Sequence, residues 1–394
     1  MTTKEAFAVK YWRGYLVAVI MAAITWALVE FARTHSVLID MVYPYMTRLV
    51  VTSMANWTSG MAFCLWQVLL IGLVVVGMVT VILMILLKWN FFQWLGWVLA
   101  AVSCVVLLNT GIYGLNQYAS PLADDMRLEI SDYTVSELNE ATIYFRDKAN
   151  ELAATVKRDE KGLADPGSFE EAAVKAGEGF RVLTYEDAIS VFAGSTVPVK
   201  KLGWSGLFGG EFGKTVPLTG EAAVNPNVPG PVLPFAICNE MCHRMSIYSD
   251  ADAAFGAFLA CIENPDPNFQ YAGYMMAYYY CYSAITRIPT STAQAAAAQT
   301  DKGVSAKLRA DLEAYIDFFG EGTIPENNRA EITEELADKN APISYSRYDD
   351  ASQLLANWYI QKFIVPLHVE EETPFNPLDP SQVDLTGLTN APKK

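Results

Sequence analysis

The sequence predicts a membrane-anchored, mainly α-helical protein in which three transmembrane helices precede a mostly helical α+β soluble domain. Two observations carry this prediction. The first third of the 394-residue chain contains three uncharged stretches, each supplying the roughly 20 apolar residues that cross a bilayer. After Pro121 the composition becomes polar and acidic, and apolar residues recur at helical spacing.

The three predicted spans occupy about residues 14–32, 61–87 and 91–113. No small-residue cleavage pattern follows the first apolar run, so we expect this span to be an anchor rather than a cleaved signal. Between the first two spans, residues 36–52 have the pattern of a helix in the membrane interface, with Arg48 at headgroup level. Together these segments make residues 1–119 a membrane domain, with the lipid bilayer as its expected partner.

The basic residues beside the spans predict an orientation. Four of them lie on one side of the spans, namely Lys4, Lys10, Arg13 and Lys88. Arg33 and Arg48 lie on the opposite side. Because positive flanks favour the cytoplasm, we expect a multi-pass protein of the cell membrane with a cytoplasmic amino terminus. Three spans then place the large carboxy-terminal domain outside the cell.

The outer part of the chain is strongly acidic. Residues 120–394 carry a formal net charge of −18, which disfavours a nucleic-acid partner because phosphate backbones repel acidic surfaces. We expect a folded domain over residues 120–370 and a loose, Pro-rich and acidic tail over 371–394. Four cysteines of this domain lie in apolar helical surroundings and are interpreted as buried free thiols.

One helix carries residues with catalytic potential. Residues 234–245 read P-F-A-I-C-N-E-M-C-H-R-M, with Pro234 near the predicted helix start. In the zinc-peptidase motif His-Glu-x-x-His, both imidazoles share one helical face and the Glu activates the metal-bound water. Here Glu240 holds the base position and His243 the second ligand position, whereas Asn239 replaces the first histidine. Asp252, at the start of the next helix, is a candidate third ligand.

Asn239 weakens any zinc site, because a neutral amide oxygen is a poor donor to Zn²⁺. A rescue by His368 or by the thiols of Cys238 and Cys242 is a minor alternative. An Asn–His–Asp set suits manganese, calcium or magnesium better than zinc, with weak binding. Another interpretation needs no metal: Glu240 and His243 persist as a buried hydrogen-bonded pair in an inherited fold. We therefore expect no metal or a weakly bound divalent metal.

Four motifs occur in an order that carries a resemblance. They are V-Y-P-Y-M-T-R at 42–48, V-P-L-T-G-E-A-A-V-N at 216–225, P-F-A-I-C-N-E-M-C-H at 234–243 and D-A-D-A-A-F-G-A-F-L-A-C at 250–261. Through them, the chain between about residues 40 and 360 resembles an uncharacterised bacterial family. Members of that family have three membrane spans followed by a zincin-like metallopeptidase domain.

The resemblance implies a zincin-like fold for residues 120–370 and zinc as the family's metal. It implies Glu240 as general base and His243 as ligand, with Asp252 where a glutamate ligand is usual. Asn239 stands where the family has histidine, so two of three expected ligands are altered in a weakening direction. Residues 220–225, including Gly220, Glu221 and Asn225, resemble the edge strand on which zincins bind an extended substrate.

Two functional hypotheses follow. The preferred one is a non-hydrolytic peptidase homologue, with a degenerate Asn-Glu-x-x-His site, that binds a peptide or protein at the outer membrane face. The alternative is an active metallopeptidase with a metal held by Asn239, His243 and Asp252 and with Glu240 as general base.

Overall fold

A computed structural model describes residues 3–185, 189–204, 211–319 and 350–365, with side chains from residue 12 onward. His368 and the predicted acidic tail lie outside the described residues. Within these ranges the chain is mainly helical, and three short strands form one small sheet.

Four helices form the amino-terminal part of the chain: α1 (Thr3–Thr34), α2 (Ser36–Thr58), α3 (Leu65–Leu86) and α4 (Phe91–Ile112). Three stretches are long and apolar enough to cross a membrane, namely Trp12–Thr34 within α1 and the whole of α3 and α4. The three predicted apolar helices are therefore confirmed to within a few residues. They suggest a membrane protein with multiple spans.

The helices α1 and α4 cross at two glycines. A Cβ added to Gly14 would lie 2.4 Å from the carbonyl carbon of Gly96, so neither backbone leaves room for a side chain at this point. Small residues at such a crossing allow close backbone contact where the hydrophobic effect gives helices little reason to associate. By contrast, an added Cβ at Gly72 or Gly77 of α3 meets nothing within 4 Å.

The helix α2 extends six residues beyond the predicted interfacial segment 36–52. Its extra residues contact the carboxy-terminal part of the chain, where the Thr58 hydroxyl oxygen lies 3.3 Å from the Thr219 carbonyl oxygen. Gly220 has φ +67°, and a Cβ there would lie 2.3 Å from the Ala55 nitrogen. Only glycine combines this left-handed backbone with such a close approach. The second half of α2 is therefore a packing surface for the carboxy-terminal part of the chain.

The carboxy-terminal part contains nine further described α-helices: α5 (Leu122–Asp125), α6 (Val135–Thr155), α7 (Phe169–Tyr185), α8 (Leu233–Arg244), α9 (Asp250–Ile262), α10 (Pro267–Arg287), α11 (Ser291–Lys302), α12 (Ala306–Phe319) and α13 (Ala351–Tyr359). One hydrophobic core runs through them, with α8, α9 and α10 at its centre. At the start of α6, Thr134 and Glu137 form a reciprocal capping box. Cys238, Cys242, Cys261 and Cys281 are buried and free, as predicted.

The sheet contains β1 (Lys200–Lys201), β2 (Gly213–Val216) and β3 (Glu221–Val224) in the order β1-β3-β2. β3 is parallel to β1 and antiparallel to β2, with Thr215 opposite Ala222. Both β2 and β3 pack against α8. The sheet thus covers the helix that carries Asn239, Glu240 and His243.

Candidate functional site

The site helix α8 is almost wholly buried. Pro at its start and a run of apolar residues place it in the core, and Asn239 and Glu240 are 8% and 5% exposed. The backbone of β2 lies directly over Glu240, since a Cβ on Gly213 would approach the Glu240 Cγ to 2.9 Å. Glycine at 213 therefore allows the strand to cover the carboxylate closely.

The Glu240 carboxylate has a partner on β2. The Thr215 hydroxyl donates to Glu240 Oε2 at 2.7 Å, and the Glu240 carbonyl oxygen lies 2.9 Å from the same hydroxyl. Burial raises the pKa of Glu240, while His243, the Thr215 hydrogen bond and Lys214 oppose that rise. A single hydroxyl hydrogen bond in a water-poor setting therefore holds this carboxyl group.

His243 is oriented by the backbone that follows its helix. Its Nδ1 lies 3.0 Å from the Ile247 carbonyl oxygen, which can only accept, so Nδ1 carries the proton. This contact orients the ring and turns Nε2 away from the Ile247 carbonyl. The hydroxyl of Tyr113, directly after α4, donates to the His243 carbonyl at 3.0 Å and so also holds the turn at the end of α8.

The carboxylate that faces His243 is Asp250, whose Oδ1 lies 3.5 Å from Nε2. Asp252, the predicted ligand, is buried in the first turn of α9 and lines a cavity that Arg48 also lines. The Ser249 hydroxyl accepts from the Asp252 backbone N–H and thereby sets the start of α9. Both aspartates were visible in the sequence. Only the capped geometry of α9 shows which one approaches the imidazole.

The donor set does not fit a zinc ion. Among the described residues, no group of three or more His, Cys, Asp or Glu side chains is placed to hold a metal. Asn239 adds only a neutral amide oxygen, which zinc disfavours. The assignment of Asn239, His243 and Asp252 as metal ligands stays a prediction. His243 on α8 and Asp250 on α9, with Nε2 and Oδ1 3.5 Å apart, place two potential metal-ligand side chains next to each other.

The predicted substrate-binding segment has a different place in the fold. β3 is the central strand with partners on both sides, so the prediction that residues 220–225 form an edge strand is wrong. Glu221 is fully buried, and its carboxylate accepts from the backbone N–H groups of Leu65 and Trp66 at 2.8 and 3.0 Å. Lys200 donates to the same carboxylate at 2.7 Å. Glu221 thus holds the first turn of α3 against the sheet.

Neighbouring residues of that segment also have structural contacts. The Asn225 N–H donates to the Phe212 carbonyl at 2.8 Å, and its side-chain oxygen accepts from the Asn227 N–H at 3.0 Å. Gly220 packs against α2, as described above. The edge strand next to the site is β2, for which the sequence predicts no strand. Its four residues, Gly-Lys-Thr-Val, place two polar side chains next to each other and so lack the alternation that indicates a strand.

A family model described as "Protein of unknown function (DUF3810)" matches residues 40–339. The chain belongs to the DUF3810 family. The DUF3810 match runs from α2 through the sheet, the site helix and α9 to beyond α12, so it includes every candidate site residue. Neither a curated protein nor a solved structure matches this chain.

Proposed function

We propose that this DUF3810 protein is a zincin-like, multi-pass membrane protein that binds an extended peptide segment without hydrolysing it. The observation that carries the proposal is the edge strand β2 lying over a buried carboxyl group that is already hydrogen-bonded. In the proposed placement the amino terminus is cytoplasmic and the carboxy-terminal domain is outside the cell. The flanking charges described above support that orientation.

The strand β2 offers backbone groups for β-addition. The bond from the Asn225 N–H to the Phe212 carbonyl fixes the ladder, so Gly213 and Thr215 direct their N–H and C=O groups away from β3. No strand among the described residues covers this side of β2. An extended peptide gains affinity from such main-chain hydrogen bonds without needing a particular sequence.

The contacts of Glu240 support binding without hydrolysis. A general base must reach the water whose proton it abstracts. Glu240 is 5% exposed, is covered by Gly213, and accepts from Thr215 on the same strand that would bind the peptide. Asn239 removes the imidazole that would help to hold a metal beside it.

The test uses the full-length protein in detergent with a pool of labelled random decapeptides. We expect retention without cleavage, and a loss of binding of about tenfold in Thr215→Pro, which removes an outward N–H from an edge strand. Thr215→Val is the matched control, because it loses only the hydroxyl and should still bind. Equal binding by wild type and Thr215→Pro would contradict peptide addition at β2.

The second candidate is a metallopeptidase with Asn239, His243 and Asp252 as ligands and Glu240 as base. One observation favours it: the Nδ1 bond to the Ile247 carbonyl orients the His243 ring as the outer contacts of metal-ligating histidines do, so that Nε2 would be the ligating atom. Elemental analysis of the purified protein separates the two candidates. We expect little metal in wild type and a gain in Asn239→His. Near-stoichiometric metal in wild type, with cleavage of the peptide pool that Glu240→Gln abolishes, would establish the peptidase instead.

A further inference from the structure

A cavity of about 590 Å³ lies beside the start of α9. The first half of α2, the turn Gly114–Tyr118 after α4, the loop 246–249 and the start of α9 form its walls. Its volume lies within the range of about 300–1,000 Å³ that is usual for small-molecule sites. Glu240 and His243 are not among its lining residues.

The cavity lies where two candidate membrane helices end. α2 begins two residues after α1, and the turn at Gly114–Tyr118 begins two residues after α4. The same half of α2 exposes a stripe of apolar side chains at helical spacing: Val37, Leu38, Met41, Val42, Tyr45, Met46 and Leu49. Met41 and Tyr45 belong both to this stripe and to the cavity lining, so the cavity adjoins the apolar surface.

The charged groups of the cavity have both signs. Arg48 is half-buried and, within the described part of the chain, forms no hydrogen bond or ion pair. Burial lowers its pKa, and Asp125 partly offsets that effect. Three carboxylates line the same cavity, those of Asp40, Asp125 and Asp252. Asp40 accepts from the Ser120 N–H at 2.8 Å, and burial followed by the proximity of Asp40 raises the pKa of Asp125.

This combination selects the chemistry of a ligand. A simple anion suits Arg48 but is repelled by three carboxylates, and a simple cation leaves Arg48 without a partner. A zwitterion with a phosphate and a primary ammonium satisfies both signs, since an ammonium carries three N–H donors for carboxylate oxygens. A trimethylammonium group has no such donors. The adjoining stripe supplies apolar surface for acyl chains.

We infer that this cavity binds the headgroup of an ethanolamine phospholipid, with the phosphate at Arg48 and the ammonium at Asp40 and Asp125. The inference rests on the proposed membrane placement and is independent of peptide binding at β2. Alkaline extraction of membranes tests that placement separately: release of the chain into the supernatant would refute the placement itself.

The binding test titrates the full-length protein in detergent with dioctanoyl lipids that differ only in headgroup. We expect phosphatidylethanolamine to bind at least tenfold more tightly than phosphatidylcholine or phosphatidylglycerol, and free phosphoethanolamine to bind more weakly than the lipid. Arg48→Gln and Asp125→Asn should each weaken that binding about tenfold, the loss of one charge-assisted hydrogen bond. Thermal unfolding without lipid checks that each variant is folded.

Matched controls exist for both substitutions. Asp124→Asn is the control for Asp125→Asn, because Asp124 is exposed and does not line the cavity. Arg33→Gln is the control for Arg48→Gln, because Arg33 is an exposed arginine near the carboxy-terminal end of α1 and also does not line the cavity. Neither should change lipid affinity by more than about twofold. Three results would overturn the inference: tighter binding of phosphatidylglycerol that Asp125→Asn improves, equal binding of phosphatidylcholine, or equal binding of free phosphoethanolamine. Unchanged affinity in folded Arg48→Gln would do the same.

Discussion

Replacing Glu221 with glutamine should destabilise the protein strongly. The buried carboxylate accepts from Lys200 and from two backbone N–H groups at the start of α3. Glutamine keeps one acceptor oxygen but brings its own N–H donors next to the ammonium of Lys200, which is itself only 13% exposed. Removing one partner of a buried ion pair typically costs about 3–5 kcal/mol. Lys200 keeps its bonds to the Thr58 and Phe63 carbonyls, so we expect about 3 kcal/mol.

The assay is denaturant unfolding of the full-length protein in detergent, followed by tryptophan fluorescence. A double-mutant cycle with Lys200→Met isolates the pair, and we expect Glu221→Gln to cost about 2 kcal/mol less once Lys200 is absent. Lys201→Met is the matched control, since its salt bridge to Glu170 is exposed and should be worth at most about 1 kcal/mol. A loss below about 1 kcal/mol in Glu221→Gln, or no coupling to Lys200, would refute the reasoning.

Three further predictions concern Glu240 and two glycine contacts. Burial raises the pKa of Glu240 in the folded protein, so the stability that its protonated carboxyl group contributes is present below the unfolded pKa and is lost as pH rises through the folded pKa. Glutamine stays neutral at every pH. Glu240→Gln should therefore raise the melting temperature at pH 7 and make it less dependent on pH above about pH 4. Gly220→Ala should lower the free energy of unfolding by at least about 2 kcal/mol more than Gly162→Ala, because both have positive φ but only Gly220 touches α2; equal losses would contradict this packing. Gly14→Ala should separate α1 from α4, reduce the free energy of unfolding by about 1–3 kcal/mol and lower the melting temperature by several degrees. Gly72→Ala should change the melting temperature little, because a Cβ there meets no other atom within 4 Å. Comparable melting curves for the two variants would exclude a tight crossing.

The helical part of the fold was predictable from local sequence. Uncharged runs of sufficient length locate α1, α3 and α4, and the Thr134–Glu137 cap locates the start of α6. These signals are local because each helix satisfies its own backbone hydrogen bonds. The membership of residues 40–339 in an uncharacterised family was likewise recognisable from ordered motifs.

The sheet and the carboxylate contacts were not predictable in the same way. β2 and β3 are four residues each, and which of them is the edge depends on β1, a two-residue strand that has no pattern of its own. The choice between Asp250 and Asp252 depends on how Ser249 caps α9 and on the ring orientation that Ile247 gives to His243. Each of these contacts joins residues through tertiary geometry, which periodicity does not encode.

Two consecutive residues tie the sheet to two different helices. Gly220 packs against the backbone of α2, and the Glu221 carboxylate accepts hydrogen bonds from the first turn of α3. In the proposed membrane setting, a bilayer whose thickness forces α3 to tilt also pulls on β3, and the ladder passes that displacement to β2 above Glu240. The proposed affinity of the carboxy-terminal domain for a peptide would then depend on the thickness of the bilayer.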